Sequence, residues 1–443
     1  MWMLIIGDSG LTVLRARRKR SYRFDYSSRI GIECSAARDK CSAARDIWIT
    51  LSMLEWSKVV VVNVLLTAIA LVLLDFALRL TSLGAARETA GHPDGYYVAD
   101  QELGATLARN YPSSRFALHG ARHDVFTNEL GCFDWPVRLE PNEPYIIAIG
   151  DSFTWGHTRL EAKWTSIIER ETGVRVLKCG VPATGTEHQL RGLKRLVARL
   201  PHPPSLVIQL HDVTDFNDDF CFPSLTVLAG QRVPAFRRIR LSDGLREPFT
   251  KRQIERMRRR IERKRGYEPG GVTPRRDERG LEGFLAETST LYNIYKIGRI
   301  ALRRDRARSK IKSGARMAYL NDPIEFNLLL LNDEDYPFVA SRLEAHIATL
   351  RATRSFVQGV GAHYALFHTN SFRLPPNRPL VRRLWAFFDG FTSFLGAMPE
   401  LPRHLFNPHW TAEGDARVAE VMLDRLRARG ILPPQRSYRP AAQ

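Results

Sequence analysis

The chain has 443 residues, 44% of them hydrophobic, which is long enough for one large domain with insertions or for two domains. Its 66 Lys and Arg against 47 Asp and Glu give a net charge of +19, a balance that favours anionic partners such as phospholipid headgroups, acidic glycans or nucleic acid. No zinc-finger or RRM signature accompanies the arginines, so nucleic acid is not expected among the partners.

Residues 1–52 differ from the remainder. They hold a basic cluster, Arg15–Arg20 (RARRKR), and the repeat CSAARD at Cys34–Asp39 and Cys41–Asp46, without a sustained helical or strand period. They read as a disordered basic arm on the cytoplasmic side, or as sequence upstream of a true start at Met53. The second reading is preferred. Val59–Leu74 contains no charged residue, and the apolar stretch from Trp56 to Leu80 is long enough to cross a bilayer, which needs about 20 residues. Asp75 then falls near one interface, with Arg79 as its i,i+4 partner. A buried core helix and a cleaved signal sequence are the alternatives. No small-x-small cleavage site ends the run, which favours an uncleaved anchor at 56–80. Lys58 and the basic arm place the N-terminus in the cytoplasm, while Arg79 and Arg87 argue the other way if Met53 is the start. The localisation expected is therefore a single-pass membrane protein whose large C-terminal part is extracytoplasmic, periplasmic in a Gram-negative source.

Cys132, Cys179 and Cys221 come after the anchor and allow one disulfide and one free thiol. No cysteine spacing resembles a metal site. Residues 81–142 read as a tether plus an edge element, with short apolar groups such as Tyr96-Tyr97-Val98.

Tyr145–Gly156 (YIIAIGDSFTWG) organises the rest of the chain. Tyr145–Ile149 is a short apolar run rich in β-branched residues, as a fully buried strand is. Gly150-Asp151-Ser152 comes next, and the glycine permits a tight turn beside the serine. A serine where a strand ends and a helix begins has an exposed hydroxyl with backbone N–H groups close by, a sound place for a nucleophile and part of an oxyanion site. The competing reading is an ordinary strand-to-helix turn with a capping serine. Gly7-Asp8-Ser9 also succeeds an apolar run, but the basic cluster comes next, so that copy reads as chance.

At Gly150–Gly156 the chain resembles the GDSL or SGNH family of serine hydrolases, which includes esterases, lipases, and carbohydrate acetylesterases and acetyltransferases. The turn differs from the Gly-x-Ser-x-Gly elbow of α/β-hydrolases. The resemblance implies an α/β fold, a flavodoxin-like three-layer sandwich with a parallel sheet (the SGNH hydrolase fold) over 143–430. Here it would be preceded by the transmembrane helix, interrupted by a helical insertion at about 220–322 and succeeded by a tail at 431–443.

The pattern after Ser152 alternates as a parallel α/β sheet requires. Glu161–Glu171 and Glu187–Leu200 have a helical period, while Val174–Lys178 and Leu206–Leu210 read as strands. Open sheets of this kind place their sites at the carboxyl ends of strands. The second family block corresponds to Lys178–Thr186 (KCGVPATGT). The resemblance implies a backbone oxyanion donor at Ala183, where the family has glycine, with Gly180 and Gly185 flanking it. An alanine serves there if its backbone is ordinary. A glycine-rich loop without a catalytic part is the plainer alternative.

The third block is less defined in Leu206–Asp218 (LVIQLHDVTDFND). The family's Asn-Asp pair, whose asparagine is another oxyanion donor, falls on Thr214-Asp215 by register and on Asn217-Asp218 by literal match, with His211-Asp212 a third choice. Asn217 is the residue assigned, against a solvated acidic loop as the alternative. Lys251–Arg265 (KRQIERMRRRIERKR) and Arg303–Lys312 make the insertion basic. Such runs are solvated helix faces, or surfaces that lean on anionic membrane or grip an acidic polymer.

A helix at Phe338–Gln358 and a strand at His363–Phe367 resume the sheet, and Pro375-Pro376 with Leu384–Leu395 would rim a cleft. Asn407–Gly414 (NPHWTAEG), ahead of a helix at Ala416–Leu426, resembles the family's last block, in which histidine is the general base. His409 takes that role. Asn407 stands where the family has the aspartate that orients the histidine.

The expectation is a membrane-anchored serine esterase or O-acyltransferase acting on an ester, in the first place an acetyl group of an envelope glycan. Ser152 attacks, His409 takes its proton, and N–H groups of Ser152 and Ala183 with Asn217 hold the oxyanion. The substrate class comes from the resemblance, and the residues themselves indicate only serine-dependent acyl transfer. The partners expected are an acylated carbohydrate or lipid substrate, the membrane and envelope polysaccharide machinery. No metal or organic cofactor is implied. A non-catalytic SGNH-fold glycan-binding or assembly protein, and a membrane-surface lipid esterase, are the alternatives.

Overall fold

The structure, a computed structural model, describes residues 2–7, 10–15, 38–87, 91–265, 284–285, 288–312, 319–320, 329–331, 338–369 and 374–434, with side chains before residue 56 outside that description. Asp8 and Ser9 of the first Gly-Asp-Ser copy, the start of the first CSAARD repeat, Pro269–Gly271 and the end of the tail lie outside the described residues.

The chain divides into two units, Met1–Val72 and Leu73–Gln443. In the first, Trp2–Gly7 pairs antiparallel with Gly10–Arg15. A long helix, Arg38–Arg79, then takes in the second CSAARD copy and runs past the boundary at Val72. Part of the segment read as lacking secondary structure is therefore hairpin and helix. Trp56–Arg79 is long and apolar enough to cross a membrane. Its Val, Leu and Ile side chains are exposed, which a buried core helix would not allow.

In the second unit five parallel strands form the central sheet. They are β1 (Tyr145–Gly150), β2 (Arg175–Lys178), β3 (Leu206–Asp212), β4 (His363–Thr369) and β5 (Phe394–Ala397), in spatial order β5-β4-β3-β1-β2. Counted along the chain this is 2-1-3-4-5, an order common to doubly wound sheets. Every residue of β1 and β3 is buried, as strands covered on both faces are. Alternation then sorts side chains by face. Tyr145, Ile147 and Ile149 pack with helices α3 (Thr186–Val197), α4 (Thr214–Phe220), α5 (Phe338–Gly359) and α6 (Pro379–Gly390). Ile146 and Ala148 face α2 (Trp164–Thr172) and α7 (Ala412–Ala428). The short helix α1 (Ser152–Trp155) comes directly after β1.

Two stretches depart from expectation. Residues 81–142 hold two antiparallel hairpins, Tyr97–Asp100 with Gly104–Leu107 and Ser114–Leu118 with Ala121–Val125. Tyr96, Phe116 and Phe133 form a small core there with Trp155 of α1. The insertion, expected to be helical, carries the helices Lys251–Arg265 and Thr290–Lys312 but also two small antiparallel sheets. Left-handed pairs, His119-Gly120 and Ala229-Gly230, turn two of these hairpins. Neither is the Asn-Gly or Asp-Gly pair that marks such a turn in a sequence.

Long-range ties hold the hairpin region to the sheet. Cys132 and Cys179 form a disulfide and Cys221 is a buried free thiol. Beside the disulfide, Asp134 accepts from Arg175 at 2.8 Å and from Lys178 Nζ at 3.2 Å, and Glu169 takes a second bond from each cation. Removing one partner from such a buried network costs about 3–5 kcal/mol, because an unpaired charge remains. On the other side of the core, His346 Nδ1 meets Asp219 at 2.6 Å, His346 Nε2 meets His211 Nε2 at 2.8 Å, and His211 Nδ1 meets His368 Nδ1 at 2.7 Å. Asp75 pairs with Arg79, and its Oδ1 accepts from Ser289 Oγ at 2.9 Å and from the Leu291 N–H at 2.8 Å, closing the start of the Thr290–Lys312 helix.

Candidate active site

The site forms at the carboxyl end of β1. Gly150 has φ +153, and a Cβ there would lie 2.1 Å from Thr154 Oγ1 and 2.7 Å from the Leu210 carbonyl, so the turn requires glycine. Asp151 caps α1, its Oδ1 accepting from the Phe153 N–H at 2.8 Å. The N–H groups of Thr154 and Trp155 return to the Asp151 carbonyl, and that of Gly156 to the Ser152 carbonyl. The Ser152 N–H, at the head of the turn, is left as the first candidate oxyanion donor.

Ser152 and His409 meet across 257 positions of sequence. Ser152 Oγ lies 2.7 Å from His409 Nε2, and His409 Nδ1 is bonded to Asn407 Oδ1, which also accepts from the His409 N–H at 3.2 Å. Asn407 thus occupies the position of the triad acid, and neither Asp212 nor Asp215 replaces it as the His409 Nδ1 partner. Glu413 is exposed on α7. The other side of the Asn407 amide reaches a residue that the sequence pattern does not single out: Nδ2 donates to His157 Nδ1 at 3.0 Å. The His157 ring lies flat on His409, with centroids 3.7 Å apart and planes 7° apart. Burial holds the His409 pKa down to about 3, with His404 and Arg403 adding to the effect, so the imidazole is a free base at neutral pH.

Of the other expected residues, Gly180 packs against α1. A Cβ there would sit 2.4 Å from the Trp155 nitrogen, so the second block lies directly beside the nucleophile turn. Ala183 has φ +53, in the left-handed region. The ordinary backbone assumed for an oxyanion donor is therefore not present there, and Ala183 instead lines a crevice with Pro182, Asp218 and Arg232. In the third block the Thr214 hydroxyl lies 3.4 Å from the Asp151 Oδ2 that also lies 3.3 Å from Ser152 Oγ. Asn217 is buried one turn further along α4. His211 bonds His346 and His368 within the core.

Buried carboxylates crowd the end of β3. Burial raises the pKa values of Asp151, Asp215 and Asp218, that of Asp218 to about 8, and repulsion from neighbouring carboxylates raises them further, from Asp212 on Asp151 and from Asp151 on the other two. Among the described residues, no group of three or more His, Cys, Asp and Glu side chains is arranged to hold a metal ion. A hydroxyl on a neutral imidazole, itself held through Nδ1, can pass its proton to Nε2 while the oxygen attacks an electrophilic carbon. No protein-family model matches the chain, and no curated protein matches it either.

Proposed function

We propose that this protein is a membrane-anchored serine esterase or O-acyltransferase with an SGNH-like catalytic domain. The observation that carries the proposal is the 2.7 Å contact between Ser152 Oγ and His409 Nε2, in line with Asn407 on the far ring nitrogen. Ser152 attacks the acyl carbon, His409 takes its proton, and the Ser152 N–H holds the developing oxyanion. His409 then returns the proton to the leaving alcohol, and a second hydroxyl, from water or an acceptor, resolves the acyl-enzyme. The Gly150–Gly156 and Asn407–Gly414 blocks and the 2-1-3-4-5 sheet support the family reading, which suggests an acetyl ester of an envelope glycan as the substrate. The apolar helix and the Cys132–Cys179 disulfide fit a domain outside the cytoplasm, where disulfides persist.

The test uses a fluorophosphonate probe and small acyl esters on the detergent-purified full chain. Wild type labels and hydrolyses an acetyl ester, Ser152→Ala does neither, and longer acyl chains react more slowly. Labelling that persists in Ser152→Ala removes Ser152 as the nucleophile. A wild type that neither labels nor turns over refutes the enzyme and leaves the glycan-binding alternative.

A further inference from the structure

An asparagine in the triad position has a difficulty that an aspartate does not. Its amide has two senses, related by exchange of oxygen and nitrogen. With Oδ1 on the imidazole, His409 carries its proton on Nδ1 and offers the Nε2 lone pair to Ser152. With Nδ2–H on the imidazole, His409 must carry its proton on Nε2, and the serine proton has no acceptor. The His409 N–H, 3.2 Å from Oδ1, favours the first sense by a single long bond.

We propose that His157 completes the selection from the other side of the amide: His157 is a positioning residue whose Nδ1 accepts from the Asn407 Nδ2 group and so, with the His409 N–H on Oδ1, holds the base in its working tautomer. The proposal rests on the catalytic reading of Ser152 and His409. Asn407 Nδ2 and His157 Nδ1 are 3.0 Å apart, and the two residues are only 5% and 4% exposed, so water does not compete for the amide proton. The parallel stack on His409 fixes the ring plane. Trp155 and Phe116, each with its ring centre 5.4 Å from that of His157 and close to perpendicular, hold it from other directions. Burial disfavours a charged His157, and the imidazoles of His409, His92, His123 and His404 act in the same direction. A neutral ring keeps one bare nitrogen. With Nδ1 as that acceptor, the His157 proton belongs on Nε2.

The arrangement explains why an amide here keeps the geometry of a base while lacking the charge of an acid. His157 supplies orientation, and Asn407 supplies no countercharge for the imidazolium.

The experiment compares wild type, His157→Phe, Asn407→Asp and the double variant in the full chain, by ester turnover and by the ring-nitrogen resonances of selectively ¹⁵N-labelled histidine. Phenylalanine keeps a flat ring for the stack but has no lone pair. His157→Phe is expected to lower kcat about tenfold with KM nearly unchanged, as when one buried hydrogen bond no longer biases the amide. The double variant is expected to stay within a few-fold of Asn407→Asp alone, because the two oxygens of a carboxylate are equivalent and have no wrong sense. A purely structural role for His157 would cost about the same tenfold in the Asn407→Asp background, so a double variant about tenfold below Asn407→Asp overturns the proposal, as does a His157→Phe protein of wild-type kcat. The resonances decide independently of turnover. Wild type should show His409 protonated on Nδ1 and His157 on Nε2. A proton on His157 Nδ1 overturns the proposal even if no variant folds. If wild type shows no Ser152-dependent turnover, the catalytic reading fails while the resonances still decide which way the amide points.

Discussion

Replacing Asn407 by aspartate separates the two services a triad acid performs. In a serine protease, exchanging aspartate for asparagine costs about 10⁴ in kcat, chiefly because the histidine adopts the wrong tautomer. Here Oδ1 already meets His409 Nδ1, so the tautomer is right and that factor is not available to be regained. What remains is charge. An opposite charge at hydrogen-bond distance raises an imidazole by about 1–3 pKa units, or about 1.4–4 kcal/mol on a full imidazolium. With about half the charge developed in the transition state, turnover at neutral pH should rise about 3- to 30-fold. His157 must then move its proton to Nδ1 to face a carboxylate. The acid limb of the rate profile, set by the free base at about 3, should move to higher pH in the variant. The assay is hydrolysis of a small acetyl ester from pH 4 to 9 by wild type, Asn407→Asp, Asn407→Ala and His409→Ala. An Asn407→Asp protein that melts like wild type but turns over more slowly would refute the charge argument. A His409→Ala protein as active as wild type would refute the whole assignment of the last block.

Two further outcomes concern stability. Burial raises the Asp415 pKa from 3.8 to about 7, against smaller opposing effects of Thr158, Trp164 and Lys163. A carboxyl raised on folding contributes stability that is fully present below about pH 4 and lost as pH rises to about 7. Asp415→Asn, which mimics the protonated form, should therefore gain on wild type by up to about 1.4 kcal/mol per pH unit across that window in urea melts, with a constant difference above it. A pH-independent difference would show that Asp415 is ionised throughout. The Cys132–Cys179 disulfide, with partners 47 residues apart, should contribute about 4 kcal/mol by loop closure, so Cys132→Ser with Cys179→Ser should lower stability by about 2–4 kcal/mol. An unchanged denaturation midpoint would argue against that pairing.

The elements that the sequence made legible are those whose signal is local. Tyr145–Ile149 and Leu206–Leu210 are continuous apolar runs, and both are strands buried on two faces. Ser152 and His409 were readable because each sits in a short block whose residue types serve one turn. The Asn407–His157 bond was not, since it joins positions 250 apart and neither residue type announces the other. The segment Leu384–Leu395 read as a cleft rim is instead the end of α6 and the first two residues of the strand Phe394–Ala397, and only pairing beside His363–Thr369 makes the latter a strand. Ala183 shows a further limit. Its left-handed backbone is imposed by the surrounding loop, against the preference of any residue with a Cβ.

The row of histidines in the core behaves as a vector. When His346 carries a single ring hydrogen and gives it to the Asp219 carboxylate, that hydrogen sits on Nδ1 and His346 receives at Nε2. His211 then gives through Nε2 and receives through Nδ1, which obliges His368 to give through Nδ1. Three neutral rings have eight arrangements in principle, and giving a hydrogen to a carboxylate at one end reduces them to one. An extra hydrogen on His211 would turn one of its bonds into a clash of two donors. The interior of this domain thus carries a polarity written in hydrogen atoms, running from His368 to Asp219, that a description by heavy atoms alone leaves out.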